Sequence, residues 1–269
     1  MSNRPASFDA QAETYDRRVG LTPEICQAIV RAALNMSGTQ PGDGIVDIGA
    51  GTGLVGAWFP APPLQYLGLD RSWGMLSAFR RRLSPTGGRQ LLLQADANGP
   101  WPLADASVRL IFSSRALHLL DPHHVVCESL RVARRDGAVC MMGWVQRQED
   151  SMSAMLRREM RRLLSQQGLQ GQDGGQHRRQ LLAAFAQQGA QELEPVVIGR
   201  WTVRRTAWQA IAAWDAKPGL GGIDPPTSVK QAILHTLRSW AAATFDDLHH
   251  EVASEEAYVL QGVRLWPKT

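Results

Sequence analysis

The sequence predicts an α/β fold, an open doubly wound sheet of mostly parallel strands with helices on both faces, and three observations carry that expectation. Residues Ile45 to Trp58, IVDIGAGTGLVGAW, pass from β-branched residues suited to a buried strand through a glycine cluster into an apolar segment that reads as the start of a helix. Gln65 to Asp70, QYLGLD, follows as a second apolar strand ending in a carboxylate. Further short apolar runs at Leu91 to Leu93, Val108 to Ser113 and Ala138 to Trp144 are separated by helical patterns, as βαβ units require.

The glycine turn is where a cofactor is expected. Gly49, Gly51 and Gly53 occupy alternate positions at which a side chain would block a ligand's approach. Gly51, Gly53 and Gly56 also satisfy the dinucleotide fingerprint G-x-G-x-x-G, and Asp70 stands where that fingerprint expects an acid. Asp47 argues against a dinucleotide, because an anion at the end of the first strand repels a pyrophosphate. A cationic cofactor suits it better. The D-x-G-x-G-x-G arrangement of Asp47, Gly49, Gly51 and Gly53 resembles the first motif of class I S-adenosylmethionine-dependent methyltransferases, a cofactor with an ammonium group and a sulfonium centre. The resemblance implies a Rossmann-like sheet of seven mostly parallel strands with an antiparallel last strand, an N-terminal helical flap and a helical cap insertion.

With 269 residues, 44% of them hydrophobic and 20% charged, the chain is long enough to bury a sizeable core. No apolar run approaches the roughly 20 residues of a membrane span, and the N-terminus lacks an apolar signal core, so a cytoplasmic protein without membrane insertion is expected. Cys26, Cys127 and Cys140 are widely spaced and read as reduced, mostly buried thiols; no metal site is expected. The net charge of +4 comes from arginine pairs and triplets scattered along the chain. No aromatic residues interleave with them as in a single-strand binding platform, which makes a nucleic-acid partner unexpected.

In chain order, Phe8 to Asp16 reads as a short helix, and Thr22 with Pro23 caps a second whose apolar residues Ile25, Ile29, Val30 and Leu34 recur at helical spacing. Phe8, Ala12, Tyr15 and Asp16 resemble the leading segment of small-molecule methyltransferases of ubiquinone, menaquinone and biotin synthesis, which implies that Tyr15 closes over the cofactor; pinning the helix to the body is the alternative. A helix begun at Leu54 is expected to end at the prolines of FPAPPL. Asp70 is placed to accept both ribose hydroxyls of an adenosine. The following D-R-S-W-G-M-L resembles the family's D-x-S-x-x-M-L, which implies that Met75 flanks the adenine or ribose, with a plain core methionine as the alternative. After the third strand, the resemblance implies that Asp96, followed by Ala97, reads the adenine amino group. Arg109 departs from the family pattern, which carries Asp there in many members. Ser113, Ser114 and Arg115 lie at the carboxyl end of the fourth strand, where open α/β sheets bind ligands. His118, in an A-L-H-L-L run similar to the family's A-L-H-x-L, is the candidate catalytic base, against a reading in which it only packs.

A helix capped by Asp121 and Pro122 follows, ending at Gly137; in this run Arg135 and Asp136 replace the family's Pro and Gly. Beyond Val145 the motifs end. Met152 to Leu164 reads as a covering helix with Arg157, Arg158, Arg161 and Arg162 on its outer face, Gln166 to Gln176 as a polar loop, Arg179 to Gln187 as a helix and Val196 to Val203 as a sixth strand. Two helices, Ala207 to Ala216 and Ser228 to Thr244, interrupt the return to the last strand, Ala257 to Leu265; with Trp208, Trp214 and Trp240 they are assigned to covering a substrate pocket. The expected organisation is one domain over 1–269: flap 1–40, cofactor core 41–145, covering helices and sixth strand 146–206, cap 207–250 and last strand 251–269.

The functional expectation is transfer of a methyl group from S-adenosylmethionine to the oxygen, nitrogen or carbon of a small-molecule acceptor. An NAD(P)-dependent oxidoreductase and a non-catalytic S-adenosylmethionine-binding protein are the alternatives. Oligomeric state is not legible.

Overall fold

The computed structural model describes residues 9, 12–60, 62–83 and 90–266. Among them the chain forms eight strands and eight α-helices, from α1 (Ala12–Val19) and α2 (Pro23–Ser37) through β1 (Gly44–Ile48), β2 (Gln65–Asp70), α3 (Trp73–Arg82), β3 (Leu91–Gln94), β4 (Val108–Ser114), α4 (Pro122–Val132) and β5 (Val139–Arg147). The remainder is α5 (Met152–Gln166), α6 (Gly174–Gln187), β6 (Gln191–Glu192), β7 (Val196–Arg205), α7 (Ala207–Asp215), α8 (Thr227–Thr244) and β8 (Val252–Arg264).

The strands form one mixed sheet in the order β3-β2-β1-β4-β5-β8-β6, with β7 paired to β8. β1 pairs parallel with β2 and β4, β2 with β3, and β4 with β5, while β6 runs antiparallel to β8. The eighth strand, absent from the expected seven, is β6. Two exposed residues without an apolar alternation, Gln191 and Glu192, leave no signal in the sequence, and only pairing with Val263 and Arg264 makes them a strand.

By contact density the chain separates into two compact units. The larger comprises residues 8–144, 174–199 and 258–269, and the smaller 145–173 and 200–257 together with 1–7, which lie outside the described residues. In the larger unit, Val46, Ile48, Ile111 and Cys140 from the central strands pack with Val125 and Val132 of α4 and Phe185 of α6 in one apolar cluster. Ser113 Oγ donates to Ile48 O at 2.7 Å, tying β4 to β1. In the smaller unit, Leu156, Leu163 and Leu164 of α5, Ile211 and Trp214 of α7, and Ile233, Leu234 and Leu237 of α8 form a separate core.

The capping residues act as their types predict. Thr22 accepts from Ile25 N with Pro23 in the first turn of α2, and Asp121 accepts from His124 N at 2.8 Å at the start of α4. Three features differ from expectation. The segment after the glycine turn makes only a 3-10 turn, Gly56–Trp58, because Pro60 follows too soon for a helix to propagate beyond its costly first turn. α6 begins at Gly174 rather than Arg179, inside the stretch expected to be a polar loop. Cys127 is exposed, whereas Cys26 and Cys140 are buried.

The departures from the family pattern at Arg109 and Asp136 meet each other. Arg109 Nη1 donates to Asp136 O at 2.9 Å and lies 3.3 Å from its carboxylate, while Arg109 Nε donates to Ser37 O at 3.0 Å. A second arginine web closes the loop before β4. Glu128 of α4 accepts from Trp101 N at 2.6 Å and from Arg131 Nε and Nη2, and Arg131 reaches Trp101 O, Leu103 O and Asp105. The Arg131 hydrogen bond holds the Glu128 carboxyl below the usual carboxylate range.

Glu128→Ala leaves the buried Trp101 N–H without an acceptor and removes the anion facing Arg131. It should cost about 2–4 kcal/mol of stability in a denaturant titration, with Glu128→Gln recovering part of the loss. A change below about 0.5 kcal/mol in the alanine variant would show that the web does not hold the loop.

Candidate cofactor site

The candidate site is a cleft at the carboxyl ends of β1 and β4, within the larger unit. Tyr15 of α1, Asp47, Gly49 and Gly51 of the glycine turn, and Ser114 and Arg115 after β4 line it. The parallel register sets this edge: Asp47 lies opposite Gly68 on one side and Phe112 on the other, so the chains leave β1 and β4 side by side.

The three motif glycines serve different ends. Gly49 has φ 70°, and a Cβ there would stand 2.2 Å from Ala116 Cβ. At Gly53, φ 72°, a Cβ would enter the Phe79 ring at 2.1 Å. Only at Gly51, φ 57°, is the space around a Cβ open. Gly49 and Gly53 thus allow close internal packing as well, and both Gly49 and Gly51 line the cleft.

Beneath the turn, Asp47 is buried. Its Oδ2 accepts from Tyr66 Oη at 2.6 Å, and its Oδ1 has no partner among the described residues. Burial raises the carboxyl to about 7; the Tyr66 hydroxyl opposes the shift and Asp70 adds to it. Asp70 Oδ2 accepts from Gly51 N at 2.9 Å and Oδ1 from Ser72 N at 2.8 Å, so this carboxylate fixes the turn whose ligand it was expected to bind. Its pKa is raised, by burial above all.

On the other side, Asp16 of α1 accepts from Thr52 Oγ1 at 2.5 Å and pairs with Arg82, whose Nε donates to Thr52 O at 3.2 Å. α1 is thereby clamped to the glycine turn, with Tyr15 one residue away at the cleft. The Arg115 guanidinium stands 5.6 Å from the centre of the Tyr15 ring, and its Nη1 is buried without a hydrogen-bond partner among the described residues. Arg115 has φ 67°, a strained conformation for a side-chain-bearing residue, and its N donates to Gly143 O at 2.9 Å.

Of the residues singled out from the sequence, Tyr15, Asp47, Gly49 and Gly51 converge on the cleft, and Asp70 joins them through Gly51. Gly53 is spent on Phe79, and Met75 is buried at 2% exposure with its N donating to Ser72 Oγ. Asp96 is exposed, accepting from Asn98 N at 2.9 Å, and Ala97 sits in the core with its O accepting from Trp101 Nε1. The Ser113 hydroxyl is committed to Ile48 O. His118 lies in a 3-10 turn, Leu117–Leu119, away from the cleft lining, where burial, Arg115 and His177 push its imidazole down to about 4. Phe8 lies outside the described residues. Sequence reasoning missed Tyr66, Thr52 and Arg82 as parts of this site. Tyr66 follows from β2 pairing beside Asp47, and the other two only from where α1 docks.

Residues 46–141 match the family model described as a methyltransferase domain. Among curated proteins, the chain is 36% identical over 141 residues to a malonyl-[acyl-carrier protein] O-methyltransferase of Laribacter hongkongensis (strain HLHK9), covering 49% of this chain and 47% of that one. A protein of the same name from Xylella fastidiosa (strain M23) is 31% identical over 137 residues, covering 50% of this chain and 45% of that one. The chain thus spans about half the length of the curated relatives it matches. Among solved structures, the YcgJ protein from Bacillus subtilis superimposes with a TM-score of 0.57 at 18% identity, over 91% of this chain and 99% of that one. The fold is a Rossmann-like α/β fold, and the matched segment contains the whole glycine turn and the end of β4. No described helix is long and apolar enough to cross a membrane.

The raised Asp47 pKa sets a pH dependence. The folded protein holds a proton on Asp47 that the unfolded chain has already released above about pH 4. The Asp47 contribution to the stability of the ligand-free protein should therefore fall as pH rises from about 4 to about 7 and then level off, against the opposite contribution of His118, whose imidazole is lowered to about 4. The drop should be on the order of 2–4 kcal/mol, since each tenfold change in proton affinity is worth about 1.4 kcal/mol. Asp47→Asn, which still accepts from Tyr66, should lose that drop, so its stability relative to the wild type should rise across this window in urea titrations; a difference independent of pH would contradict the assignment.

Proposed function

We propose that this chain is an S-adenosylmethionine-dependent methyltransferase acting on the oxygen, nitrogen or carbon of a small-molecule acceptor. The observation that carries the reading is a pair of polar atoms at one cleft that have no partner among the described residues, the carboxyl oxygen Asp47 Oδ1 and the guanidinium nitrogen Arg115 Nη1. Buried polar atoms are nearly always satisfied, so two opposite orphans beside a glycine turn fit a zwitterion. The amino-acid end of S-adenosylmethionine is one: Asp47 takes its ammonium and Arg115 its carboxylate, as a charge-assisted pair at each end. A pyrophosphate fits this cleft poorly, since it has nothing to offer Asp47.

Around that anchor, Asp70 takes the ribose hydroxyls through the lone pairs that Gly51 N and Ser72 N leave free, and the turn at Asp96 and Ala97 takes the adenine. Met75 and Ser113 act by holding the walls, and Tyr15 closes the methionine end with Arg115. When bound, the cofactor supplies a methyl group already activated on a sulfonium, so the protein's share is to bind, orient and exclude water. With its imidazole at about 4, His118 is a weak base at neutral pH and serves to pack. The malonyl-[acyl-carrier protein] O-methyltransferases make an acyl-chain carboxylate a candidate acceptor class, beside other oxygen, nitrogen and carbon nucleophiles.

Calorimetry with S-adenosylhomocysteine and with 5′-methylthioadenosine, which lacks the amino-acid end, tests the anchor. Asp47→Asn and Arg115→Met should each weaken S-adenosylhomocysteine by about 1.5–3 kcal/mol and leave 5′-methylthioadenosine within about 0.5 kcal/mol. Equal losses for both ligands, or tight NADH binding with no affinity for either nucleoside, would refute the reading.

A further inference from the structure

The smaller unit holds an arginine that its neighbours leave unsatisfied. Sequence periodicity puts Arg157, Arg158, Arg161 and Arg162 on one solvated face of α5, but the structure separates them. Arg158 donates to Glu149 O at 3.0 Å, Arg161 lies 3.6 Å from Asp173, and Arg162 forms a two-pronged pair with Glu159 at 2.6 and 2.8 Å. Arg157 has none of these. Its Nε is out of solvent without a hydrogen-bond partner among the described residues, and its guanidinium stands 5.9 Å from the centre of the ring of Trp214, a residue buried in the core of the unit.

The charges around it are mostly of its own sign. Arg147, Arg205 and Arg161 act on it as cations and Glu256 as the one opposing anion, but Glu256 is already engaged by Arg147 Nε at 2.7 Å. Among the described residues Arg205 has no carboxylate within ion-pair distance. Burial first, then these cations, push the Arg157 guanidinium down to about 9, which still leaves it charged at neutral pH. Arg157 and Arg205, two guanidiniums with no carboxylate paired to them among the described residues, one of them partly stripped of water and 5.9 Å from an indole, make a site short of an anion. Guanidinium forks match the two oxygens of a carboxylate or a phosphate, and an aromatic ring behind the fork keeps its plane fixed.

We propose that Arg157, held by Trp214 and supported by Arg205, is an oxyanion-binding site of the smaller unit that takes the carboxylate or phosphate group of a small-molecule ligand. This goes beyond the methyl-donor reading and does not rest on it, since the ligand group is an acid rather than a sulfonium and the residues are different.

The test titrates the intact chain with inorganic phosphate and, separately, with acetate, at an ionic strength fixed by chloride, and follows the thermal midpoint. The wild type should show a saturable rise with at least one anion, and the larger response tells a phosphate ester from a carboxylate as the ligand group. Arg157→Met should weaken the apparent affinity tenfold or more, and Arg205→Gln severalfold. In chloride alone Arg157→Met should melt no lower than the wild type, because an apolar chain replaces an unpaired, partly desolvated cation. A role confined to packing on Trp214 predicts the reverse, a lower midpoint in chloride and an unchanged anion response. That result, or a wild type indifferent to both anions, overturns the proposal. Should Arg157→Met fail to fold, Arg205→Gln decides: an anion response equal to the wild type's overturns it.

Discussion

The hydrogen bond from Tyr66 to Asp47, buried under the glycine turn, is the interaction on which the cofactor end of the molecule depends. A carboxylate this deep is costly to ionise, and a single hydroxyl satisfies only one of its oxygens. The bond fixes the side chain's orientation and leaves Oδ1 for something else. Its neighbours leave no room for adjustment: a Cβ on Gly56 would stand 2.2 Å from Tyr66 Oη and 2.9 Å from Asp47 Oδ2. The turn above is held by Asp70 through Gly51 N and by Asp16 through Thr52, so three acids converge on one loop. The three acids stand together because burial raises the Asp47 carboxyl to about 7, Asp70 accepts from two backbone amides and Asp16 pairs with Arg82.

Arg115 provides the counterpart. Its left-handed backbone turns the chain sharply after β4, and the guanidinium comes to rest over Tyr15 with Nη1 unsatisfied. Behind it, Ser114 and Tyr258 share a hydrogen bond at 2.8 Å that joins the end of β4 to β8, and burial keeps the Tyr258 phenol above its ordinary range. The loop that presents Arg115 is thus supported by a strand more than a hundred residues away, which explains why a cleft built from local motifs requires the rest of the sheet.

Much of this is legible in the sequence. β2 spans Gln65 to Asp70 as its pattern indicates, and the cores of β1, β4 and β5 coincide with their apolar runs, because buried central strands are written as continuous β-branched and apolar stretches. Helix starts carrying Thr-Pro or Asp-Pro are equally plain. The illegible parts depend on tertiary pairing. The two residues of β6 have no pattern of their own, and the apolar run after the glycine turn has a helical pattern that Pro60 limits to a single 3-10 turn. Within the site, residue type and position at the strand ends identify Asp47 and Asp70. Their roles do not follow, since only the folded chain turns Asp70 onto two backbone amides. Arg157 misleads for a related reason: helical periodicity gives a face but not what packs against it, and α7 brings Trp214 to the flank that the pattern assigns to water.

The central claim is that Asp47 is held partly protonated until a cationic group reaches its free oxygen. Proton exchange on binding measures this directly, through calorimetry of S-adenosylhomocysteine at pH 7 in buffers of differing ionisation enthalpy. The wild type should release a fraction of a proton per ligand bound, larger as the pH is lowered toward 6, and Asp47→Asn should release none. Identical proton release in the two proteins would show that Asp47 does not change its charge on binding and would contradict the account.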